Sequence, residues 1–169
     1  TMSVGKTTLV NALKELKQFK DYNFATERSQ HLMSLGIPLN TDSTLKGQTV
    51  FLAERCGELM HDKIITDRTV LDVMAFTMNA KSIPYQDKEA FETYASEFVR
   101  EYDYIFYISP HGLEIEDNGV RETDEHYRDL IDFTITTLIK RHGHKCNTIE
   151  KISGSTKERI QQILTITGL

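Results

Sequence analysis

The sequence lacks several features that would set it apart from ordinary globular proteins. No apolar run approaches the roughly 20 residues that a membrane-spanning helix needs. Lys and Arg (20) are outnumbered by Asp and Glu (25), which gives a net charge of −5 and argues against a nucleic-acid-binding module with a broad basic face. Two cysteines make no disulfide framework and fit a reducing compartment. We therefore expect a cytoplasmic protein whose partners include neither a membrane nor a nucleic acid.

Proline is also scarce, with three residues in 169, and the sequence has no internal repeat and no low-complexity linker. Because nothing marks a domain boundary, a single domain over residues 1–169 is expected. The hydrophobic (39%) and charged (27%) fractions are typical of a globular protein. A chain of this length buries roughly two-thirds of the surface that its unfolded form exposes, which is enough for a substantial core.

Hydrophobic periodicity predicts four strands that alternate with helices. The strands are expected at residues 22–26, 63–66, 104–108 and 147–152, and the helices at 6–20, 43–61, 69–79, 88–100, 124–141 and from 155 onward. This alternation predicts an α/β fold with a parallel sheet and helices on both faces. Ligands of such sheets bind at the carboxyl ends of the strands. In the helix at 124–141, Leu130 is expected to face inward together with Ile131.

The clearest motif opens the first helix. Residues 5–8, Gly-Lys-Thr-Thr, match the second half of the phosphate-binding loop G-x-x-x-x-G-K-[ST]. In that loop backbone N–H groups cradle phosphate oxygens, the lysine adds a positive charge, and the threonine hydroxyl ligates Mg²⁺. The alternative is a chance Gly-Lys-Thr at a helix start. The residues expected to contact the nucleotide are Val4, Gly5, Lys6, Thr7 and Thr8, with Thr7 also a metal ligand.

Charged pairs follow two of the predicted strands. Asp67 and Arg68 come after the strand KIIT, where the carboxylate can support Mg²⁺ or accept a proton from an attacking hydroxyl and the arginine can bind phosphate. The alternative is that Asp67 complements the dipole of the following helix. Glu27 and Arg28 end another strand, where Glu27 can serve as a base or support the metal. The alternative for that pair is a solvated ion pair.

Two later segments carry further candidates. Arg121 and Arg128 lie in and after a polar loop, and two arginines there suit a lid that closes over transferring phosphates. The alternative is that they pair with the acidic residues around them. Gly154 and Ser155 follow the last strand, where a glycine turn can approach a nucleotide base closely. The alternative is that Ser155 is the N-cap of the last helix.

In their order along the chain, these motifs resemble those of a known family. The strings GKTTLVNAL, ERS, TDRTVLDVMAFT and NGVRETDEHYRDLID are similar to those of AAA-like P-loop proteins of nucleotide metabolism, among them ribosylnicotinamide kinases, thymidylate-kinase-like proteins and phage-type nucleotide kinases. The resemblance runs over nearly the whole chain. It implies a P-loop NTPase fold, which is a three-layer α/β/α sandwich with a parallel sheet, and a lid at about residues 110–128.

The resemblance also implies that the sequence is truncated at its N-terminus. The first glycine of the phosphate-binding loop would fall one residue before Thr1, and the strand that leads into the loop would precede it. We therefore expect the first strand of the domain to be absent from this chain. In the family that strand is central to the sheet, so two inner strand edges are expected to stay unpaired, with a loss of stability.

The reaction implied by the resemblance is phosphoryl transfer. Lys6 and Thr7 match residues that bind ATP and magnesium, and Asp67 lies between donor and acceptor. The expected catalytic residues are Lys6, Glu27, Asp67, Arg68, Arg121 and Arg128, and the expected metal ligands are Thr7 and Asp67. We expect ATP- and Mg²⁺-dependent transfer to a small nucleoside or nucleoside monophosphate, by a monomer or a homodimer. The alternative is a nucleotide-binding ATPase or GTPase-like regulatory switch that has no small-molecule acceptor.

Overall fold

The computed structural model of the chain describes residues 4–26, 29–110 and 125–169. The strands in these ranges are β1 (Asn23–Ala25), β2 (Ile64–Thr66), β3 (Tyr104–Tyr107) and β4 (Thr148–Lys151). The helices are α1 (Lys6–Lys14), α2 (Ser29–Ser34), α3 (Leu45–Glu58), α4 (Val70–Asn79), α5 (Tyr85–Ala95), α6 (Glu125–His142) and α7 (Thr156–Thr167). Short 3₁₀ turns lie at Lys17–Phe19, Asn40–Asp42, Ser96–Glu101 and Gly143–Lys145.

The four predicted strands are confirmed, each slightly shorter than expected, whereas several helix bounds differ. The helix expected over residues 6–20 ends at Lys14, because Leu16 has extended backbone angles (φ −88°, ψ 139°). The helix expected from residue 88 begins at Tyr85, directly after Pro84, since proline fits just ahead of a first turn whose N–H groups need no helical partner. The short helix α2 was not predicted, because six residues are too few to show a period.

The strands form two separate parallel pairs within the described residues. β1 pairs with β2, in the register Asn23↔Ile64, and β3 pairs with β4, in the register Tyr104↔Thr148. No ladder joins β2 to β3 among these residues. The parallel direction is as predicted. The two separate pairs agree with the expectation that two inner strand edges stay unpaired, whereas the three-layer sandwich stays a prediction.

Two apolar clusters pack around the strands, and β3 contributes to both. Ile105 lies in a cluster with residues of α4, α5 and α6, whereas Phe106 packs into a second cluster with residues of α1 and α7. Successive side chains of a strand point to opposite faces, so β3 has apolar packing on both sides. This packing explains the apolar residues at Ile105 and Phe106, whereas Tyr104, at the start of the strand, is exposed.

The expected inward position of Leu130 is wrong. Leu130 is 41% exposed, whereas its neighbour Ile131 is fully buried. The buried stripe of α6 runs through Ile131, Ile135 and Leu138, which are spaced by four and three residues as one helical face requires. Leu130 is rotated about 100° from that face.

Within the described ranges, no helix combines the length and apolar character needed to cross a membrane.

Candidate functional site

The N-terminus of α1 starts from a glycine in the left-handed region. Gly5 has φ 75° and ψ 24°, a conformation that a residue with a side chain adopts only with strain. Its carbonyl accepts the first helical hydrogen bond, from the N–H of Leu9 at 3.0 Å. Because glycine has no side chain, the first N–H groups of α1 have no side-chain cap. A helix N-terminus of this kind, with N–H groups directed outward, favours an anion such as phosphate.

Asp67 lies at the carboxyl end of β2, where it meets α1. Its backbone N–H donates to the carbonyl of Ala25 at 2.9 Å and extends the β1–β2 ladder by one residue. The side chain is 2% exposed, and its Oδ2 accepts a hydrogen bond from the hydroxyl of Thr7. Oδ1 is also buried and has no hydrogen-bond partner among the residues described. The site therefore holds an oriented carboxylate with one oxygen available to a ligand.

Arg68 is held in place by two neighbours on α4. Its Nη1 lies 3.5 Å from Oδ1 of Asp72, and its guanidinium lies 5.3 Å from the ring centroid of Phe76, within the range of a cation–π contact. Neither Nε nor Nη1 makes a hydrogen bond in the part of the chain that is described, although both are buried. Two buried donors without a hydrogen bond fit an anionic ligand, because a guanidinium binds phosphate through paired N–H groups.

Asp72 links Arg68 to the start of α4. Its Oδ2 accepts from the backbone N–H of Thr69 at 3.0 Å, and the Thr69 side chain accepts from the N–H of Leu71 in return, which together form a capping box. Burial by itself would raise the pKa of Asp72. Nearby positive charges, Arg68 and Lys6 among them, and the bond from Thr69 hold that pKa below its usual value.

A polar network of side chains from α3 and β2 holds the carboxyl end of β2 in place. The hydroxyl of Thr66 accepts from Nη1 of Arg55 at 3.1 Å and lies 2.9 Å from Oε2 of Glu58 and 3.0 Å from the carbonyl of Arg68. Arg55 is 3% exposed and pairs with Glu58 at 2.6 Å. These contacts fix the backbone on either side of Asp67, so its carboxylate is presented by a rigid turn.

Arg159, from α7, holds the residue before Gly5. Its Nη1 donates to the carbonyl of Val4 at 2.6 Å, a bond between residues 155 positions apart that is buried from solvent. A Cβ added to Gly5 would lie 3.5 Å from the same nitrogen. Arg159 therefore fixes the entry to α1 from the opposite end of the chain.

The contacts described above around Asp67 and Thr7 do not include the remaining predicted site residues. Glu27 and Arg121 lie outside the described residues, as does most of the predicted lid. Arg128 is buried near the start of α6, with its Nε 4.0 Å from Asp129. Its predicted contact with phosphate stays a prediction. Thr8 is exposed in the first turn of α1.

Ser155 is the N-cap of α7, as one of the two alternatives predicted. Its hydroxyl and N–H each donate to Oε2 of Glu158 at 2.7 Å. Gly154 has φ 91°, and a Cβ there would meet the same carboxylate at 2.6 Å. The capping box therefore accounts for both residues, and their contact with a nucleotide stays a prediction.

Sequence reasoning missed three contributors: Asp72, Arg159 and the Arg55–Glu58 pair. Asp72 had a local signal, because Thr69 followed three residues later by an acidic residue resembles a capping box. Arg159 had none, since its partner Val4 is 155 positions away. The contact of Arg55 with Thr66, on β2, depends on tertiary structure and also had none. Among the described residues, no three or more His, Cys, Asp or Glu side chains group as a metal cage.

Comparison with known proteins gives one finding. No curated protein and no solved structure matches the chain. The family model for the AAA domain matches residues 1–159, which is most of the chain and includes every site residue described above. That match agrees with the glycine turn, lysine and threonine at the start of α1 and with the carboxylate that meets them. The chain belongs to the AAA domain family, whose P-loop α/β fold is associated with nucleotide binding.

Proposed function

We propose that this protein is an ATP-dependent phosphotransferase that acts on a small nucleoside or nucleoside monophosphate. The observation that carries the proposal is the meeting of Thr7, in the first turn of α1, with Asp67, at the end of β2. This contact joins a helix N-terminus that favours anions to a buried carboxylate that has one oxygen without a hydrogen bond. Phosphoryl transfer needs mainly positioning and charge neutralisation from a protein, and both are available here.

Magnesium fits the two side chains that meet. Mg²⁺ in nucleotide sites is held by one or two protein oxygens, with phosphates and water completing the shell, so a cage of three protein ligands is not required. Asp67, through its unpaired Oδ1, and Thr7, through its hydroxyl, would hold the ion. When bound, it would neutralise phosphate charge. The Arg55–Glu58–Thr66 network supports the proposal, because it holds the backbone next to Asp67.

The cations of the site are assigned to the phosphates. Lys6, in the first turn of α1, lines the same cavity as Asp67 and Arg68 and is close enough to Asp72 to influence its pKa. Arg68 offers Nε and Nη1, neither of which makes a hydrogen bond among the described residues, to phosphoryl oxygens, with its plane held by Phe76. A preorganised guanidinium stabilises the charge that spreads over the transferring group.

Whether a general base is needed depends on the acceptor. A nucleoside hydroxyl must lose a proton, and the two candidate bases are Asp67 and Glu27. Where Oδ1 of Asp67 holds the ion, Glu27 is the base. A nucleoside monophosphate needs no base, and Arg68 then has the larger role. Glu27, Arg121 and Arg128 belong to the proposal as further catalytic residues, and Gly154 and Ser155 as contacts to the nucleotide.

The test measures ADP release from ATP and Mg²⁺ with a panel of nucleosides, mononucleotides and ribosylnicotinamide. We expect at least one acceptor to stimulate ADP release. Lys6→Ala is expected to reduce the stimulated rate by about 10²–10³-fold, the usual loss when one preorganised charge contact is removed. Lys14→Ala is the matched control, because Lys14 is exposed in the last turn of the same helix, and it should leave the rate unchanged.

Failure of every acceptor to stimulate ADP release would overturn the phosphotransferase proposal. If ATP still bound, the regulatory switch would replace it. The proposal also includes a cytoplasmic location and a monomeric or homodimeric state. Its support for the location is that Cys56 and Cys146 are both free thiols.

A further inference from the structure

A hydrogen bond between side chains joins α6 to the carboxyl end of β3. The hydroxyl of Tyr107, the last residue of β3, lies 2.8 Å from Oδ1 and 3.0 Å from Oδ2 of Asp132, about two turns into α6. Burial and the bond to Asp132 raise the pKa of Tyr107 to about 12, so the hydroxyl keeps its proton at neutral pH. Asp132 therefore accepts a charge-assisted hydrogen bond from the end of the strand.

The surroundings of Asp132 indicate that it positions other groups and does not bind a ligand itself. The residue is 7% exposed, and both of its carboxylate oxygens lie within hydrogen-bond distance of the same hydroxyl. Asp67 differs, because its Oδ1 has no hydrogen-bond partner among the described residues. Since a buried carboxylate is costly without a donor, the contact with Tyr107 fixes α6 relative to β3.

The packing of α6 shows in which direction it runs along the strands. Ile135, about one turn after Asp132, belongs to the same apolar cluster as Ile105, in the middle of β3. Gly143, directly after α6, lies next to Ile149, near the start of β4, where an added Cβ would be 3.0 Å away. The helix therefore runs from the carboxyl ends of the strands toward their amino ends. Residues that precede Asp132 in α6 lie beyond the carboxyl end of β3.

Arg128 is one of these preceding residues. It lies on the same face of α6 as Asp132, because residues four positions apart are neighbours on a helix surface. Four residues correspond to about 6 Å along the helix axis, which places Arg128 past the end of β3. The residue is 7% exposed. Its side chain is thus enclosed by the protein at the carboxyl edge of the strands.

The same edge carries the candidate phosphate site. Ile108, directly after β3, belongs to the same apolar cluster as Val4, which precedes the glycine of α1. Thr7 meets Asp67 at the end of β2. Because ligands of parallel sheets bind at the carboxyl ends of the strands, the contact between α6 and β3 determines how Arg128 is placed relative to this site.

We propose that Asp132 is a positioning residue for the phosphate site: through Tyr107 it fixes α6 against the end of β3 and thereby sets the position of Arg128 relative to bound phosphate. This inference rests on the proposed function, in which Arg128 is a further catalytic residue. A charged group that is held in place before the ligand binds stabilises phosphate charge without a cost of reorganisation. The contact one turn along the helix supplies that constraint.

The test measures binding of inorganic triphosphate with Mg²⁺ to the full chain by calorimetry, which requires neither an acceptor nor transfer. Arg128→Ala should weaken binding by about tenfold or more, the loss expected for a hydrogen bond to a charged group. Asp132→Asn and Tyr107→Phe should each weaken it by about three- to tenfold, as for residues coupled in one network. The matched control is Tyr104→Phe, on the same strand but exposed, and it should leave the affinity unchanged.

A double-mutant cycle separates positioning from a general loss of stability. In the Arg128→Ala background, Asp132→Asn should change the affinity for triphosphate by less than about twofold, because the side chain that it positions is absent. A merely structural role would lower the melting temperature of Asp132→Asn but leave the affinity of the folded protein unchanged. Binding is therefore measured where circular dichroism shows each variant to be folded.

Several results would overturn the proposal. These are an unchanged affinity in Asp132→Asn and Tyr107→Phe, an unchanged affinity in Arg128→Ala, and an equal loss from Asp132→Asn with and without Arg128. Should Asp132→Asn not fold, Tyr107→Phe replaces it in the cycle, since it removes one hydroxyl and keeps the ring. A wild type that does not bind triphosphate would overturn the phosphate site and the positioning role together. Failure of every acceptor to stimulate ADP release would count against the phosphotransferase alone.

Discussion

Two buried aspartates, five positions apart, are predicted to respond in opposite ways to the same substitution. Asp67 is 2% exposed and Asp72 is 8% exposed. Asp67 receives one hydroxyl bond and leaves Oδ1 unpaired. Asp72 caps α4 and pairs with Arg68. If the carboxylate of Asp67 binds a ligand and that of Asp72 stabilises the fold, Asp67→Asn should stabilise the ligand-free protein and Asp72→Asn should destabilise it.

The magnitudes follow from the contacts of each group. A buried polar atom without a partner costs about 1–3 kcal/mol, and a charged one is at the upper end. Asp67→Asn keeps the shape of the side chain and removes the charge, so we expect the free energy of unfolding to rise by about 1 kcal/mol. Asp72→Asn weakens the capping box and leaves Arg68 without its carboxylate, for a loss of about 1–3 kcal/mol.

Thermal unfolding followed by circular dichroism measures both effects. For a chain of this size, 1 kcal/mol corresponds to about 2–4 °C. We expect the melting temperature of the Asp67→Asn variant to rise by about 2–4 °C and that of Asp72→Asn to fall by about 2–12 °C. The measurement is made without nucleotide or Mg²⁺, since a ligand of the wild-type site would stabilise that protein selectively. Loss of stability in Asp67→Asn as large as that in Asp72→Asn would refute the reasoning, because Asp67 would then be a structural residue.

Further predictions concern α7, α6 and pH. Arg159→Ala removes the buried donor to the carbonyl of Val4. It should lower the free energy of unfolding by about 1–3 kcal/mol in a melting experiment and weaken ATP binding in calorimetry. An unchanged ATP affinity would show that α7 is not part of the site. Ile131→Ala should lose about 2–5 kcal/mol in urea unfolding and Leu130→Ala less than about 0.5; equal losses would contradict the burial of α6. Glu92, in α5, is buried, which by itself would raise its pKa, but hydrogen bonds with His142 and Arg141 hold that pKa below its usual value. Because the pKa values of Asp72 and Glu92 are lowered in the folded state, the stability they contribute is present above about pH 4 and lost as the pH falls below it; a urea midpoint that does not fall from pH 5 to pH 3 would contradict this.

Much of the site could be predicted because its chemistry lies at fixed places in the sequence. A Gly-Lys-Thr string at a helix start predicts an anion site, because the first N–H groups of a helix have no helical partner. The rule that ligands meet the carboxyl ends of parallel strands then singles out Asp67, and the structure brings it into contact with Thr7. The strands were predictable because short, apolar runs bounded by polar residues have few other interpretations.

The parts that escaped prediction depend on tertiary contacts. Arg159 acts on Val4 across 155 positions, and no sequence pattern relates the two. The stripe of α6 was misjudged at one residue, because Leu130 and Ile131 are both apolar and only packing decides which of them is buried. Asp72 was overlooked although its capping box is local, since an acidic residue in a first turn has a simpler interpretation as a partner of the helix dipole.

The central claim is that Asp67 and Thr7 form the metal side of a nucleotide site, and ATP affinity with and without Mg²⁺ tests it most directly. Calorimetric titration of the wild-type chain, Asp67→Asn and the control Asp62→Asn gives the comparison, since Asp62 is exposed just ahead of β2. We predict that Mg²⁺ tightens ATP binding by about tenfold or more in the wild type and in Asp62→Asn, and leaves it nearly unchanged in Asp67→Asn. An equal effect of Mg²⁺ on all three proteins would contradict the account.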